Sequence, residues 1–421
     1  MAQKKKSSSK TNKKIVKTAK KIAKNNPIVF IIVIIIIAAL AIGGYFLYVN
    51  VIALKREQNK AYSFSSEPES SIPVSNSSSF VPSSSSSSTP SSSSSIAPFT
   101  GEVAPIDINF LELGNKYTGD STFIKAGDVD ILIDAGSRKN SATTISTFID
   151  TYCTDGVLEY VIATHAHQDH IAGFVGSNTD TGILKKYRID TLIDFSLTNA
   201  TSAIYNDYIS LRDEKVASGD IKHHYTANDC IQGNNGAQRT YNIANGITME
   251  ILDQKFYRET TGDENDYSVC ALFSQGNQHY LFTGDLEKDG EASLVALNNL
   301  PEVELFKGGH HGSYTANTDA LLNVIKPKNV CICCCAGSDE YTSNPENMFP
   351  AQAAINRIAK YTDKVYATTV VADDTKGYKS LNGNINFHST DGKDYLITGS
   401  NNSFILKDSD WFKNNRTWPT Y

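Results

Sequence analysis

Residues 164–173 read THAHQDHIAG and follow the apolar run YVIA. Three of the chain's nine histidines and one aspartate fall within six positions. An apolar run that ends in such a cluster reads as a buried strand whose exit loop carries polar side chains to a sheet rim. Imidazole nitrogens and a carboxylate are ligands for zinc, and also for manganese or iron. His165 and His167, two apart in a tight loop, can face one ion. Asp169 and His170, further along, can face a second.

Working outward, strand-like runs alternate with helix-like runs. Residues 106–113, 121–126, 129–136, 158–165 and 190–196 read as strands, as do 247–253, 267–275, 279–285, 303–309 and 330–336. Late strands are expected at 364–371, 385–390 and 394–400. Helical periodicity marks 141–153, with Ser141 as its cap, then 202–218, 286–299, 315–325 and 349–361. Two β-rich halves with interspersed helices predict an α/β (α+β) architecture of two packed sheets with helices outside. No internal repeat and no second domain boundary appears between 103 and 421.

The N-terminal part is of another kind. Residues 1–26 hold ten lysines and no acid, and residues 28–49 (IVFIIVIIIIAALAIGGYFLYV) are apolar and uncharged. A run of about 20 such residues is long enough to cross a bilayer as a helix. The lysines before it orient the N-terminus to the cytoplasm and the rest of the chain outside. The chain is therefore expected to have a basic cytoplasmic tail at 1–26 and a transmembrane signal-anchor helix at 27–54. A disordered Ser/Pro-rich linker at 55–99 and a folded region at 100–421 follow. Ala39-Leu40-Ala41 resembles a signal-peptide cleavage site, but the apolar run continues past it to Val49.

The net charge is −6, and the first 26 residues contribute +10, which leaves −16 on residues 27–421. A broadly acidic surface is not the footprint of a general nucleic-acid grip. Four of seven cysteines crowd into CICCC at 331–335. Successive strand positions face opposite ways, so they cannot all pair. They read as small apolar residues of a buried strand.

The cluster at 165–170 resembles the HxHxDH motif of the metallo-β-lactamase superfamily, and other motifs agree. ILIDAG (131–136) matches the family's D-x-G, YLFTGDL (280–286) its bridging-aspartate strand, and KGGHHGS (307–313) its late histidine. The resemblance implies a four-layer αβ/βα sandwich with two divalent metal ions at one edge, zinc foremost. Their ligands would be His165, His167, Asp169, His170, Asp285 and His311, with Asp134 supporting the histidine loop from behind. Where the family usually has a further histidine, this chain has Asn265, an optional weaker ligand, and His223 or His224 is the alternative. Asp169 and His310 would be catalytic, and Lys307 would meet substrate oxygen.

NDYSV, LFTGDLE and KGGHHGS are similar to the ComEC/Rec2-type branch, which contains domains of DNA-uptake proteins, and to phosphorylcholine esterases of bacterial surfaces. The resemblance covers most of 104–398. It implies a membrane-anchored extracellular metal-dependent hydrolase, a phosphodiesterase before a lactonase or β-lactamase. Its expected partners are the bilayer and a phosphoester substrate at the cell surface. A nucleic-acid-processing role and a non-catalytic binding role are the further alternatives.

Overall fold

Short runs rich in Ile, Val, Leu and Phe, each closed by a turn, build sixteen strands in the computed structural model, which describes residues 101–372 and 377–421. The expected tail, anchor and linker at 1–26, 27–54 and 55–99 lie outside the described residues. Among the described residues no helix is long and apolar enough to cross a membrane.

The first six strands are β1 (Ile106–Phe110), β2 (Thr122–Ala126), β3 (Val129–Ile133), β4 (Val157–Ile162), β5 (Arg188–Asp194) and β6 (Ile221–Thr226). The next five are β7 (Thr240–Ala244), β8 (Ile247–Ile251), β9 (Ala271–Gln275), β10 (Gln278–Phe282) and β11 (Leu305–Lys307). The last five are β12 (Val330–Ala336), β13 (Val365–Val371), β14 (Tyr378–Ser380), β15 (Ile385–Ser389) and β16 (Leu396–Gly399). One eight-stranded sheet runs β16-β15-β1-β2-β3-β4-β5-β6 and the other β14-β13-β12-β11-β10-β9-β8-β7. The architecture is thus mixed α/β with two sheets and helices, as the sequence predicts.

The sheets meet through their aromatic side chains. Phe110 lies 6.2 Å from Phe282, Tyr280 5.0 Å from Phe387, and Tyr160 5.5 Å from Tyr241, each pair crossing from one sheet to the other. One buried apolar cluster holds residues of both sheets together with Ile145, Ile171, Phe174 and Tyr208 of the helices Ser141–Ile149, Gln168–Val175 and Ala203–Ser218. A second cluster joins β11 to β13 to the helices Lys288–Leu297, Asp319–Ile325 and Gln352–Ile358. The cysteine strand β12 divides between the two: Cys331 and Cys333 face the first cluster, Ile332 and Cys334 the second. Every position of β12 is buried and all seven cysteines are free thiols.

What positions the site is strand direction. β3, β4, β5 and β6 are parallel in one sheet, and β10, β11, β12 and β13 are parallel in the other. The segments that carry the motifs all leave the carboxyl ends of these strands, the usual place for ligand sites in parallel sheets. Asp134 follows β3, the histidine loop follows β4, Asp285 follows β10 and His310–His311 follows β11.

Several boundaries differ from the sequence reading. The strand expected at 267–275 begins at Ala271, because Glu264–Tyr267 forms a 3₁₀ turn. Ser141 is the first helical residue rather than the cap, which is Asn140. Ser202 does cap its helix, accepting from the Tyr205 N–H. Strands β6, β7 and β14 were not anticipated, because His, Lys and Asn on their outer positions mask the apolar alternation. A short helix, Gln168–Val175, starts directly after His167 and carries Asp169 and His170. Its backbone is fused to the turn after β3: the Ala135 N–H donates to the His170 carbonyl and the Gly173 N–H to the Ala135 carbonyl, both at 2.7 Å.

That contact requires glycine, since a Cβ at 173 would stand 2.1 Å from the Ala135 oxygen. Gly173→Ala should therefore lower the unfolding free energy by about 1–3 kcal/mol. Urea denaturation followed by circular dichroism measures it, and an unchanged midpoint would refute the fused-turn reading.

Candidate metal centre

Each motif residue is set by the turn it stands on. Asp134, His310 and His311 adopt positive φ (58°, 45° and 52°), a conformation that costs non-glycine residues free energy and clusters at functional sites. The Gly309–Gly312 turn that carries the two histidines is held by Asn317, whose side chain accepts from the Gly309 N–H and donates to the Gly309 carbonyl.

Six of the expected groups converge. His165 Nε2 and His167 Nδ1 face each other at 3.0 Å. His170 Nε2 lies 3.0 Å from Asp285 Oδ2, and His311 Nε2 lies 3.2 Å from the same oxygen and 3.3 Å from Asp169 Oδ2. Asp120, His170, Asp285 and His311 offer ligand atoms that all fall within 4.8 Å of one another, and all four are buried. His165, His170, Asp285 and His311 are at most 1% exposed.

The orientations of the histidines are fixed from behind. His170 Nδ1 pairs with Asp134 Oδ2 at 2.8 Å, and Asp134 is itself held by the Thr164 N–H and hydroxyl, each at 2.8 Å. His311 Nδ1 donates to the Cys333 carbonyl at 2.9 Å, with Asp120 Oδ1 at 3.3 Å. Both rings therefore turn Nε2 inward, the arrangement that supporting carboxylates and carbonyls give to metal-binding imidazoles. His311 Nε2 and Asn265 Oδ1 are buried with no hydrogen-bond partner. The Nε2 atoms of His170 and His311, turned towards the Asp285 and Asp169 carboxylates, make a buried donor set that fits a divalent cation.

The electrostatics agree. Burial opposes charge on His170 and His311, yet Asp285 with Asp134 or Asp120 outweighs it and holds both imidazoles well above their ordinary range. Burial likewise opposes ionisation of Asp285, but His170, His311 and Lys307 hold its carboxyl well below the usual range. His165 is pushed down by burial and then by His170 and His167, which leaves it a neutral donor.

A cavity of about 760 Å³ opens onto this centre. His167, Asp169, Asp285 and His310 form its floor, and Arg138, Asn265, Glu287, Tyr341 and Phe349 are among its walls. His310 Nδ1 lies 3.0 Å from Glu287 Oε1 and its Nε2 lies 3.9 Å from Asp285 Oδ2. Asn265 stands on the Glu264–Tyr267 turn with its amide 3.4 Å from Glu287.

Other expectations are corrected. Lys307 is 3% exposed and does not line the cavity; its ammonium is taken by the Asp120 carboxylate, the Gly284 carbonyl at 3.0 Å and Asp285 at 3.4 Å. Direct contact with substrate does not fit that burial. His223 and His224 lie on β6, away from the cavity walls, and His224 pairs with Asp194 at 2.9 Å. Asp120, Glu287 and Tyr341 were missed. For Asp120 a signal existed: Gly119-Asp120 before β2 repeats the Gly-Asp step of 284–285. Glu287 closes the LFTGDLE stretch without having been singled out, and Tyr341 carries no motif.

The family model of the metallo-beta-lactamase superfamily matches residues 114–178. ComE operon protein 3 of Bacillus subtilis is 23% identical over 181 residues, 42% of this chain and 20% of that protein. Recombination protein 2 of Haemophilus influenzae is 28% identical over 125 residues, 30% of this chain and 14% of that protein. This chain therefore matches only a minor part of the length of either relative. Among solved structures, the metallo-beta-lactamase fold protein YhfI of Bacillus subtilis aligns with 70% of this chain and 99% of its own, at 10% identity and a TM-score of 0.37.

Two expectations follow from the geometry. Asp134→Asn, which keeps shape but removes the charge behind His170, should weaken zinc affinity roughly 10- to 100-fold, measured by competition with a chromogenic chelator. Protons on His170 and His311 compete with metal, and their raised pKa values place that competition above the ordinary histidine range. The stability their charged forms contribute to the metal-free protein is lost as pH rises through those raised values. Metal binding strengthens over the same rise. The zinc-induced gain in Tm should therefore grow as pH rises above the ordinary histidine range. A gain independent of pH would contradict this charge state.

Proposed function

Because the chain carries the metallo-β-lactamase fold and has ComEC/Rec2-type proteins among its relatives, we propose that it is a metal-dependent hydrolase of phosphoesters, foremost phosphodiesters. The observation that carries the reading is the convergence of His165, His167, Asp169, His170, Asp285 and His311 beneath an open cavity, with His311 Nε2 turned towards Asp169 and Asp285.

His165 and His167 would hold one divalent ion, with the Asn265 carbonyl oxygen as a further donor. Asp169, His170 and His311 would hold a second, and Asp285 would lie between the two. Zinc suits this donor set, as do manganese and iron. Ions bound there would supply positive charge against the substrate oxygens and a water whose pKa is lowered towards neutrality. The chain's own groups do the rest. Asp169, on the cavity floor, orients the attacking water and accepts its proton. His310 faces the cavity with Glu287 on its Nδ1, so its Nε2 can donate to oxygen that gains charge at the reacting phosphorus. Lys307 and Asp120, buried behind Asp285, fix the orientation of that carboxylate instead of touching substrate.

Phosphoesters are favoured over lactones and β-lactams because Asn265 stands where a histidine would complete the first ion's ligands. Nucleic acid is the second reading, drawn from the ComEC/Rec2-type relatives. Against it stand the −16 charge on residues 27–421 and a cavity wall whose cation, Arg138, is paired with Glu340. The uncharged apolar run and the lysines before it support a single-pass anchor at 27–54 with the hydrolase outside the cell.

The full chain, purified in detergent and analysed for metal, should cleave bis(p-nitrophenyl) phosphate or phosphocholine esters in a chelator-sensitive way. His167→Ala should reduce turnover at least about 100-fold, as loss of a metal ligand does. Turnover confined to lactones or β-lactams would overturn the substrate class, and salt-dependent DNA binding would favour the second reading.

A further inference from the structure

The segment after β12, residues 337–351, forms one side of the cavity and supplies Glu340, Tyr341, Thr342, Asn347 and Phe349 to its wall. Its tip is pinned. The Glu340 carboxylate binds the Arg138 guanidinium and accepts the Thr118 N–H at 3.0 Å. That anchorage sets the next residue over the centre. The Tyr341 hydroxyl donates to Asp169 Oδ2 at 2.6 Å, and the same oxygen lies 3.3 Å from His311 Nε2. The phenol ring packs on Phe349 at 5.5 Å and 33°, and Phe349 rests against His310 and His311 at 5.5 and 5.7 Å. The ring is thereby held in place, while its hydroxyl rests on Asp169 through a single hydrogen bond.

Yet Tyr341 is 51% exposed and lines the cavity. A hydroxyl one hydrogen bond from a candidate ligand, on a side chain that solvent can reach, is in place to meet a bound oxyanion. The buried Lys307 cannot do so.

We propose that Tyr341 is a catalytic residue whose hydroxyl donates a hydrogen bond to a non-bridging oxygen of the substrate phosphoryl group, with Arg138 and Glu340 as positioning residues. This rests on the phosphoester reading above. When substrate enters, the hydroxyl turns from Asp169 Oδ2 to the phosphoryl oxygen, and Asp169 is released to act on the attacking water. No proton leaves the phenol, which is protonated at neutral pH in any case. The hydrogen bond strengthens as negative charge grows on the phosphoryl oxygens, so the contribution falls on the transition state.

The test compares the zinc-loaded full chain with Tyr341→Phe, which removes one oxygen and keeps the ring packing. Three quantities are read: metal content with chelator competition, kcat and KM on a phosphodiester, and affinity for inorganic phosphate by calorimetry. Expected are unchanged metal affinity, kcat lower by roughly tenfold to a hundredfold at similar KM, and phosphate affinity lower by about tenfold. Arg138→Met should move kcat in the same direction by less. Wild-type kcat and phosphate affinity in Tyr341→Phe would overturn the proposal. So would a loss of activity matched by a loss of metal, which would make the hydroxyl a support for Asp169 alone. If the wild-type chain neither cleaves phosphoesters nor binds phosphate, the phosphoester reading itself fails, and this inference falls with it.

Discussion

Four carboxylates, from Asp120, Asp134, Asp169 and Asp285, are buried at one rim of the two sheets, none more than 7% exposed. Unpaired negative charge at that depth is costly, so the surroundings must supply positive charge and donors at fixed places. His170 lies between Asp134 and Asp285, His311 meets Asp120, Asp169 and Asp285, and Lys307 joins Asp120 to Asp285. The compensation is complete on the Nδ1 side of the two imidazoles, where Asp134 and the Cys333 carbonyl fix them. On the Nε2 side it depends on protons held by the histidines, which a divalent cation could replace.

That charge arrangement explains features that otherwise look unrelated. Lys307 is buried because Asp120 and Asp285 need a cation behind the centre, which withdraws it from the cavity. Three non-glycine residues of the motifs accept positive φ, because only those turns bring Asp134, His310 and His311 to the rim together. The close approach at Gly173 locks the helix bearing Asp169 and His170 to the turn bearing Asp134, so the carboxylate and the imidazole it supports move as one piece. Rigidity here has a chemical purpose, since misplacement of about 1 Å is enough to spoil a preorganised site.

The cavity wall is built differently from its floor. The floor residues sit at strand ends and on a locked helix. The wall is largely the 337–351 segment, tied at Glu340 to Thr118, at Tyr341 to Asp169, and at Met348 and Pro350 to Arg416.

By itself the sequence determined the two-sheet α/β class and the ligand-type residues at 165, 167, 169, 170, 285 and 311. Both are local: apolar alternation marks strands, and ligating side chains crowd into short loops. Only the tertiary structure decided that Asp120 joins the centre, that Lys307 stands behind it, that His223 and His224 stay away, and that Glu287 and Tyr341 face the cavity. Those placements depend on which strand ends the two sheets bring side by side. Asp120 and His311 are far apart in the chain, and no periodicity or motif encodes a contact that arises from sheet packing.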